Sequence, residues 1–303
     1  MKLILFLVLG ILTAAYILVW AANVQRTRRQ NAEQSQPASG VLPDVWQILI
    51  GSVTNFLDAL GIGSFATTAS IYKLRRMVPD ELLPGTLNVG HALPTITQAF
   101  IAISLIEVDP ITLATLIAAA VAGSWIGAPV VARWPRRTIQ IGLGSVLIVA
   151  ACLMMMSQLN IVPIGGDSLA LKGVLLATGV FGSFWLGALM TLGLGFYAPC
   201  MIMISMLGMN PKAAFPIMMG ACAFLMPVAS MQFVRRKRYS LRHALGLTLG
   251  GIPGVLLAMF IIRELPLSAV YWLVVVVVLY TAISLLRSAI RERRQAASEA
   301  VVD

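Results

Sequence analysis

Between Val270 and Leu286 the chain runs without a charged residue, and stretches of the same kind recur along its length. A run of about 20 apolar residues can cross a bilayer as a helix. Membrane-spanning β-strands are instead about ten residues long and alternate in polarity, which these runs do not. Of the 303 residues, 59% are hydrophobic and 11% are charged, against roughly 25% charged in soluble domains. The expected fold class is an all-α, polytopic membrane protein with the lipid bilayer as its surroundings.

A net charge of +10 would suggest nucleic acid as a partner of a soluble protein. Here the basic residues sit in short clusters between apolar runs, which is a topology signal, so no nucleic-acid partner is expected. The first apolar run, 1–22, is longer than the core of a signal peptide and is followed directly by Arg26, Arg28 and Arg29. It is expected to be a retained membrane helix, with 23–45 a polar cytoplasmic linker. Cys152, Cys200 and Cys222 lie in apolar segments without metal or redox spacing. No cofactor is expected.

Beyond the linker the apolar segments fall at 46–72, 86–106, 110–132, 138–158, 173–205, 213–234, 243–262 and 267–287. Two are long and carry paired glycines at mid-length, Gly61 with Gly63 and Gly193 with Gly195. Each is either one tilted span or a hairpin of two short helices. If both are hairpins that return to their own side, 18 of the 22 basic residues fall on the cytoplasmic face. Only Lys2, Lys172, Lys212 and Arg263 remain outside. Single crossings give at best 13 inside and 9 outside. The preference for positive charge on the cytoplasmic side selects the hairpins.

A hairpin followed by three spans is an odd number of crossings, so two such halves must be inserted in opposite orientations. The sequence carries that repeat. Ala59 to Ala66 pairs with Thr191 to Ala198, and Gly123 and Gly127 pair with Gly250 and Gly254. The loops after the second and third elements reverse their charge between halves. The expected domains are two inverted repeats, 46–158 and 159–290, then a cytoplasmic tail at 291–303. The protein is expected in the bacterial inner membrane with linker and C-terminus cytoplasmic.

Glycine-interrupted segments at matching positions of inverted repeats point to a transporter's substrate site. Broken backbone within a bilayer is tolerated only when buried in protein or lining a cavity. A helix N-terminus at such a break suits an anion. Packing of helices is the competing account of these glycines, and it is preferred for Gly123, Gly127, Gly250 and Gly254, spaced four apart. Candidate substrate-binding residues are Asn55, Gly61, Gly63, Ser64, Thr67 and Thr68 at the first break. At the second they are Thr191, Gly193, Gly195 and Tyr197. Asn88, His91, Gln98 and Gln232 are added from the neighbouring helices. Asp58, an acid within a hydrophobic segment, is the candidate coupling residue. It is either a proton carrier, making protons a candidate coupling ion, or a satisfied structural acceptor. Its repeat partner is Met190, so the pattern does not preserve it.

The second half is rich in methionine, which leaves soft-metal transport as an alternative to filler packing. No hydrolase, metalloprotease or nucleotide-loop motif occurs, so no enzyme is expected. A passive channel and a non-transporting assembly or sensing protein are further alternatives.

The hairpin Leu60-Gly-Ile-Gly-Ser-Phe65, its counterpart Leu192-Gly-Leu-Gly-Phe-Tyr197 and the run Asn210-Pro-Lys-Ala-Ala-Phe-Pro216 resemble the TauE/SafE sulfite exporter family. So do the helices ending in Arg133-Trp-Pro and Arg263-Glu-Leu-Pro. The resemblance covers about 46–290 and leaves the N-terminal helix and linker outside. It implies secondary transport, as an exporter, of a small anion such as sulfite, a sulfonate or a related organic acid. Ser64 and Phe196 stand where the family commonly has a third glycine.

Overall fold

The computed structural model describes residues 2–33, 42–127, 130, 133, 135–159, 166–190 and 196–299. Among them every regular element is helical, apart from one isolated bridge between Ser168 and Met209. The helices are α1 (Lys2–Glu33), α2 (Val45–Ala59), α3 (Ser64–Leu74), α4 (Leu83–Leu105) and α5 (Pro110–Ala122). A π-turn, Gly123–Gly127, extends α5. Then follow α6 (Arg136–Gln158), α7 (Gly173–Met190), α8 (Tyr197–Met206), α9 (Ala214–Arg235), α10 (Leu241–Glu264) and α11 (Leu267–Glu299). Among the described residues, seven helices are long and apolar enough to cross a membrane: α1, α5 with its π-turn, α6, α7, α9 with its leading turn, α10 and α11. At 23 residues α4 has the length but not the composition. Its threonines, Asn88, His91 and Gln98 lower its hydropathy.

The first long segment is interrupted as expected. A 15-residue α2 is about 22 Å long and an 11-residue α3 about 16 Å, both short of a bilayer core of about 30 Å. α1 differs from expectation, because it continues past Asn23 to Glu33. Gln, Arg, Ala and Glu are good helix formers, and no Pro or Gly interrupts the chain before Pro37.

The chain divides into two compact units, and the division passes within α9. The first holds residues 1–105 and 222–264. The Arg75 guanidinium, just past α3, lies 5.0 Å over the Trp46 ring at the start of α2. The hairpin therefore ends where it began. Arg242, at the start of α10, pairs with Asp44 at 3.4 Å at this same end. Asn23 donates to the Val234 carbonyl, and the Tyr239 hydroxyl donates to Asn23. At the other end of α1, Lys2 donates to the Ile103 carbonyl, placing a cation on the last turn of α4. The core is α10 laid against α2 and α4. A Cβ on Gly250 would meet the Ile48 carbonyl, and one on Gly254 the Ser52 carbonyl. These glycines are packing residues that let two backbones touch.

The second unit holds residues 106–221 and 265–303. Gly123 abuts the Phe184 carbonyl of α7, and Gly127 faces the Ala188 methyl. Gly187 returns the contact onto Ala120. Thus α5 meets α7 through small residues, as α10 meets α2. The segment before α7 lies beside the end of α8: Asn210 N–H donates to the Ser168 carbonyl at 2.9 Å, and Gly166 abuts Gly208. This hairpin too returns to its starting end. Asp109 N–H bonds the Leu169 carbonyl there, and the Asp109 side chain caps α5 through Thr112. That backbone donor, from Thr112, holds the half-buried Asp109 carboxyl below its ordinary pKa. Lys212 donates to the Leu265 carbonyl, so α11 begins at this end as well. α11 reaches the opposite end at Arg287 and Arg291, alongside the start of α6, where Gln140 donates to Ser288.

Candidate functional site

The first break is built by two glycines and one carboxylate. α2 stops because Gly61 takes φ 97° and Gly63 φ 90°, values that L side chains rarely adopt. Gly61 N–H bonds the Asp58 carbonyl and Ile62 N–H bonds the Leu57 carbonyl, the paired closure of a glycine-ended helix. α3 then begins with its N-terminus beside the Asp58 side chain. Ser64 N–H donates to one carboxylate oxygen at 2.7 Å, and Gln98 Nε2 of α4 donates to the other at 3.0 Å. Asp58 is 4% exposed. A buried acid held by two donors is a stable arrangement, and one carboxylate joins three helices.

Next to it, Asn55, His91 and Thr68 form a second link among the same helices. Asn55 Nδ2 donates to the Gly51 carbonyl, so its Oδ1 faces His91 Nδ1 at 3.0 Å as an acceptor. His91 Nδ1 therefore carries the hydrogen, and Nε2 accepts from the Thr68 hydroxyl at 3.1 Å. All three are fully buried. Phe65 lies against the imidazole with ring centroids 5.7 Å apart.

The structure thus brings together Asn55, Asp58, Ser64, Thr68, His91 and Gln98 around the turn made by Gly61 and Gly63. It does not bring in the rest. Thr67 bonds back to the carbonyls of Gly63 and Ser64, and Asn88 bonds back to Pro84 in its own helix. Gln232, placed near the end of α9, is exposed. A long polar side chain three residues from His91, or matched to Gln98 by repeat, carries no information about which side of its helix faces protein. Tyr197 is buried in the second unit at the start of α8. Thr191, Gly193 and Gly195 lie outside the described residues.

Two residues were missed by the sequence. Thr95 lies between His91 and Gln98 on one face of α4 (spacing i, i+4, i+7). It is 1% exposed, and its hydroxyl has no hydrogen-bond partner among the described residues. Its place on that face was the available signal. Thr248 answers a defect in α4: Pro94 has no N–H, which frees the Gly90 carbonyl. Thr248 of α10 donates to that carbonyl at 2.8 Å. Gly251 makes room beside it, since a Cβ there would lie 2.5 Å from both Asn55 Nδ2 and Pro94 Cγ. Thr248→Val should keep the shape and strand the carbonyl, lowering stability by about 1 kcal/mol. Thermal unfolding in detergent measures this, and an unchanged midpoint would show the bond to be idle.

The cluster contains one acid and no lysine or arginine. An entering anion would meet hydroxyls, amides and backbone N–H groups. The helix N-terminus in this cluster, that of α3, is already engaged by Asp58.

A family model described as sulfite exporter TauE/SafE matches residues 1–154. The matched span includes the first break and its cluster, and also α1 and the linker, which the motif resemblance left outside. No curated protein matches the chain, and no solved structure does. Seven apolar helices and this match make it a multi-pass membrane protein, and it belongs to the sulfite exporter TauE/SafE family.

Proposed function

We propose that the chain is a secondary transporter that exports a small anion such as sulfite or a sulfonate. Its substrate site lies at the first glycine break, beside Asp58, and protons are its coupling ion. The carrying observation is that Asp58 holds the N-terminus of α3 through Ser64. An ionised Asp58 and a substrate anion want the same donors and repel each other. A proton on Asp58 removes the repulsion and weakens its hold on Ser64. Anion affinity then rises as Asp58 is protonated and falls as pH rises, so proton and anion move together and export follows the anion's own outward gradient.

The scaffold we propose for this is a pair of inverted repeats. In the first unit the open end of the hairpin is the end with Arg75 and Arg242. In the second it is the end with Lys212, opposite the arginines of α11. If both arginine-rich ends face the cytoplasm, the hairpins enter from opposite sides. The matching contacts of Gly250 and Gly254 on α2, and of Gly123 and Gly127 on α7, support the same pairing. Linker and C-terminus are then cytoplasmic.

The test is flux of labelled sulfite, sulfonates and carboxylates in proteoliposomes, with and without a proton gradient. We expect saturable movement of at least one anion that a gradient accelerates. Unsaturable conductance would identify a channel, and no flux of any anion would favour a non-transporting role.

A further inference from the structure

The arginine end of α11 holds a cleft of about 470 Å³, lined by Tyr280, Ile283, Ser284, Arg287, Ser288 and Arg291. The spacing puts Ser284, Arg287, Ser288 and Arg291 on one face of the helix. The polar groups of that face are chiefly donors. Ser288 accepts a hydrogen bond from Gln140, which leaves its own hydroxyl hydrogen to point elsewhere. Both arginines are exposed, and none of the described residues lining the cleft is a carboxylate. Two guanidiniums and two hydroxyls set along one helix face match a phosphate, which arginine binds through paired N–H groups.

We propose that this cleft binds the phosphate of an anionic phospholipid. The neighbouring surface chooses the lipid over free phosphate. Toward the start of α11, Ile283 and Val276 are 45% and 59% exposed, about one and three turns from Arg287 along the same side. An acyl chain can lie there while the headgroup sits at Arg287 and Arg291. Free phosphate makes no use of that apolar strip. Basic clusters just beyond a membrane helix attract anionic headgroups by about 1 kcal/mol per residue. The inference does not depend on the transport reading.

The experiment uses the full chain in detergent, titrated with phosphatidylglycerol, phosphatidylcholine or inorganic phosphate. Retained adducts are counted by native mass spectrometry, and the thermal midpoint is followed in parallel. We expect phosphatidylglycerol to be retained and to raise the midpoint, with little response to the other two. Arg287→Gln with Arg291→Gln should weaken retention about tenfold or more, while Arg236→Gln with Arg238→Gln, equal in charge change, leaves it intact. Unaltered retention in the first pair overturns the site, as does an equal loss in the second. An equal gain from phosphatidylcholine, or from inorganic phosphate, overturns the lipid assignment. Should the glutamine pair not stay monodisperse, Arg287→Lys with Arg291→Lys decides. That pair keeps charge but loses the paired donors, and a lysine pair that binds as tightly as arginine counts against the proposal.

Discussion

Asp58→Ala is expected to lower the thermal midpoint of the purified protein by several degrees and to abolish transport, whereas Asp58→Asn should leave the fold nearly intact. The alanine strands two buried donors, Ser64 N–H and the Gln98 amide, each 3.0 Å or less from the carboxylate it loses. Buried groups without partners cost about 1–3 kcal/mol each. Asparagine presents one oxygen to Ser64, and a half-turn of the Gln98 amide gives its nitrogen an acceptor. Only the charge is gone. If Asp58 couples protons to the anion, the asparagine variant should move anion at a rate independent of pH over the range where the parent responds. A pH response identical to the parent's would leave Asp58 a purely structural acceptor. Unfolding separates the two variants, and flux separates the two roles.

The second large effect is expected at Gly250. A valine there drives its Cβ into the Ile48 carbonyl, which is backbone and cannot swing aside. α10 would have to lift from α2, the most extensive helix contact in the first unit. Overpacking of this kind costs upward of about 3 kcal/mol. Gly142→Val is the matched control, since nothing lies within 4 Å of a Cβ at that position on α6. Size-exclusion profiles after solubilisation should show Gly250→Val aggregated or absent and Gly142→Val monodisperse. Equal profiles would mean that α10 and α2 do not meet as described.

Much of this architecture is legible in the sequence, because glycine and arginine obey local rules. Gly61 and Gly63 mark a turn that other residues would strain, and basic clusters mark where a hairpin returns. Four-residue glycine spacing foretold close helix contact at Gly250 and Gly254. The cluster around Asp58 was partly legible, since polar residues at membrane depth are few. Which of them converge was not. Asn88 and Gln232 look as suitable as Asn55 and Gln98 until a neighbouring helix fixes the inward face. Thr248 has no meaning without Pro94, far away in the chain. The end of α1 was obscured because a polar helix has no apolar stripe to read.

Because α2 is covered by α10, the first unit draws on two segments far apart in the chain. During synthesis, the carbonyls of Ile48 and Ser52 enter the membrane long before Gly250 and Gly254 exist to cover them. The first hairpin therefore spends most of translation beside lipid or the insertion machinery. Contacts between such distant segments form late and slowly. Assembly of the site is tied to completion of the chain, and a polypeptide halted before α10 has a break without the helix that supports it.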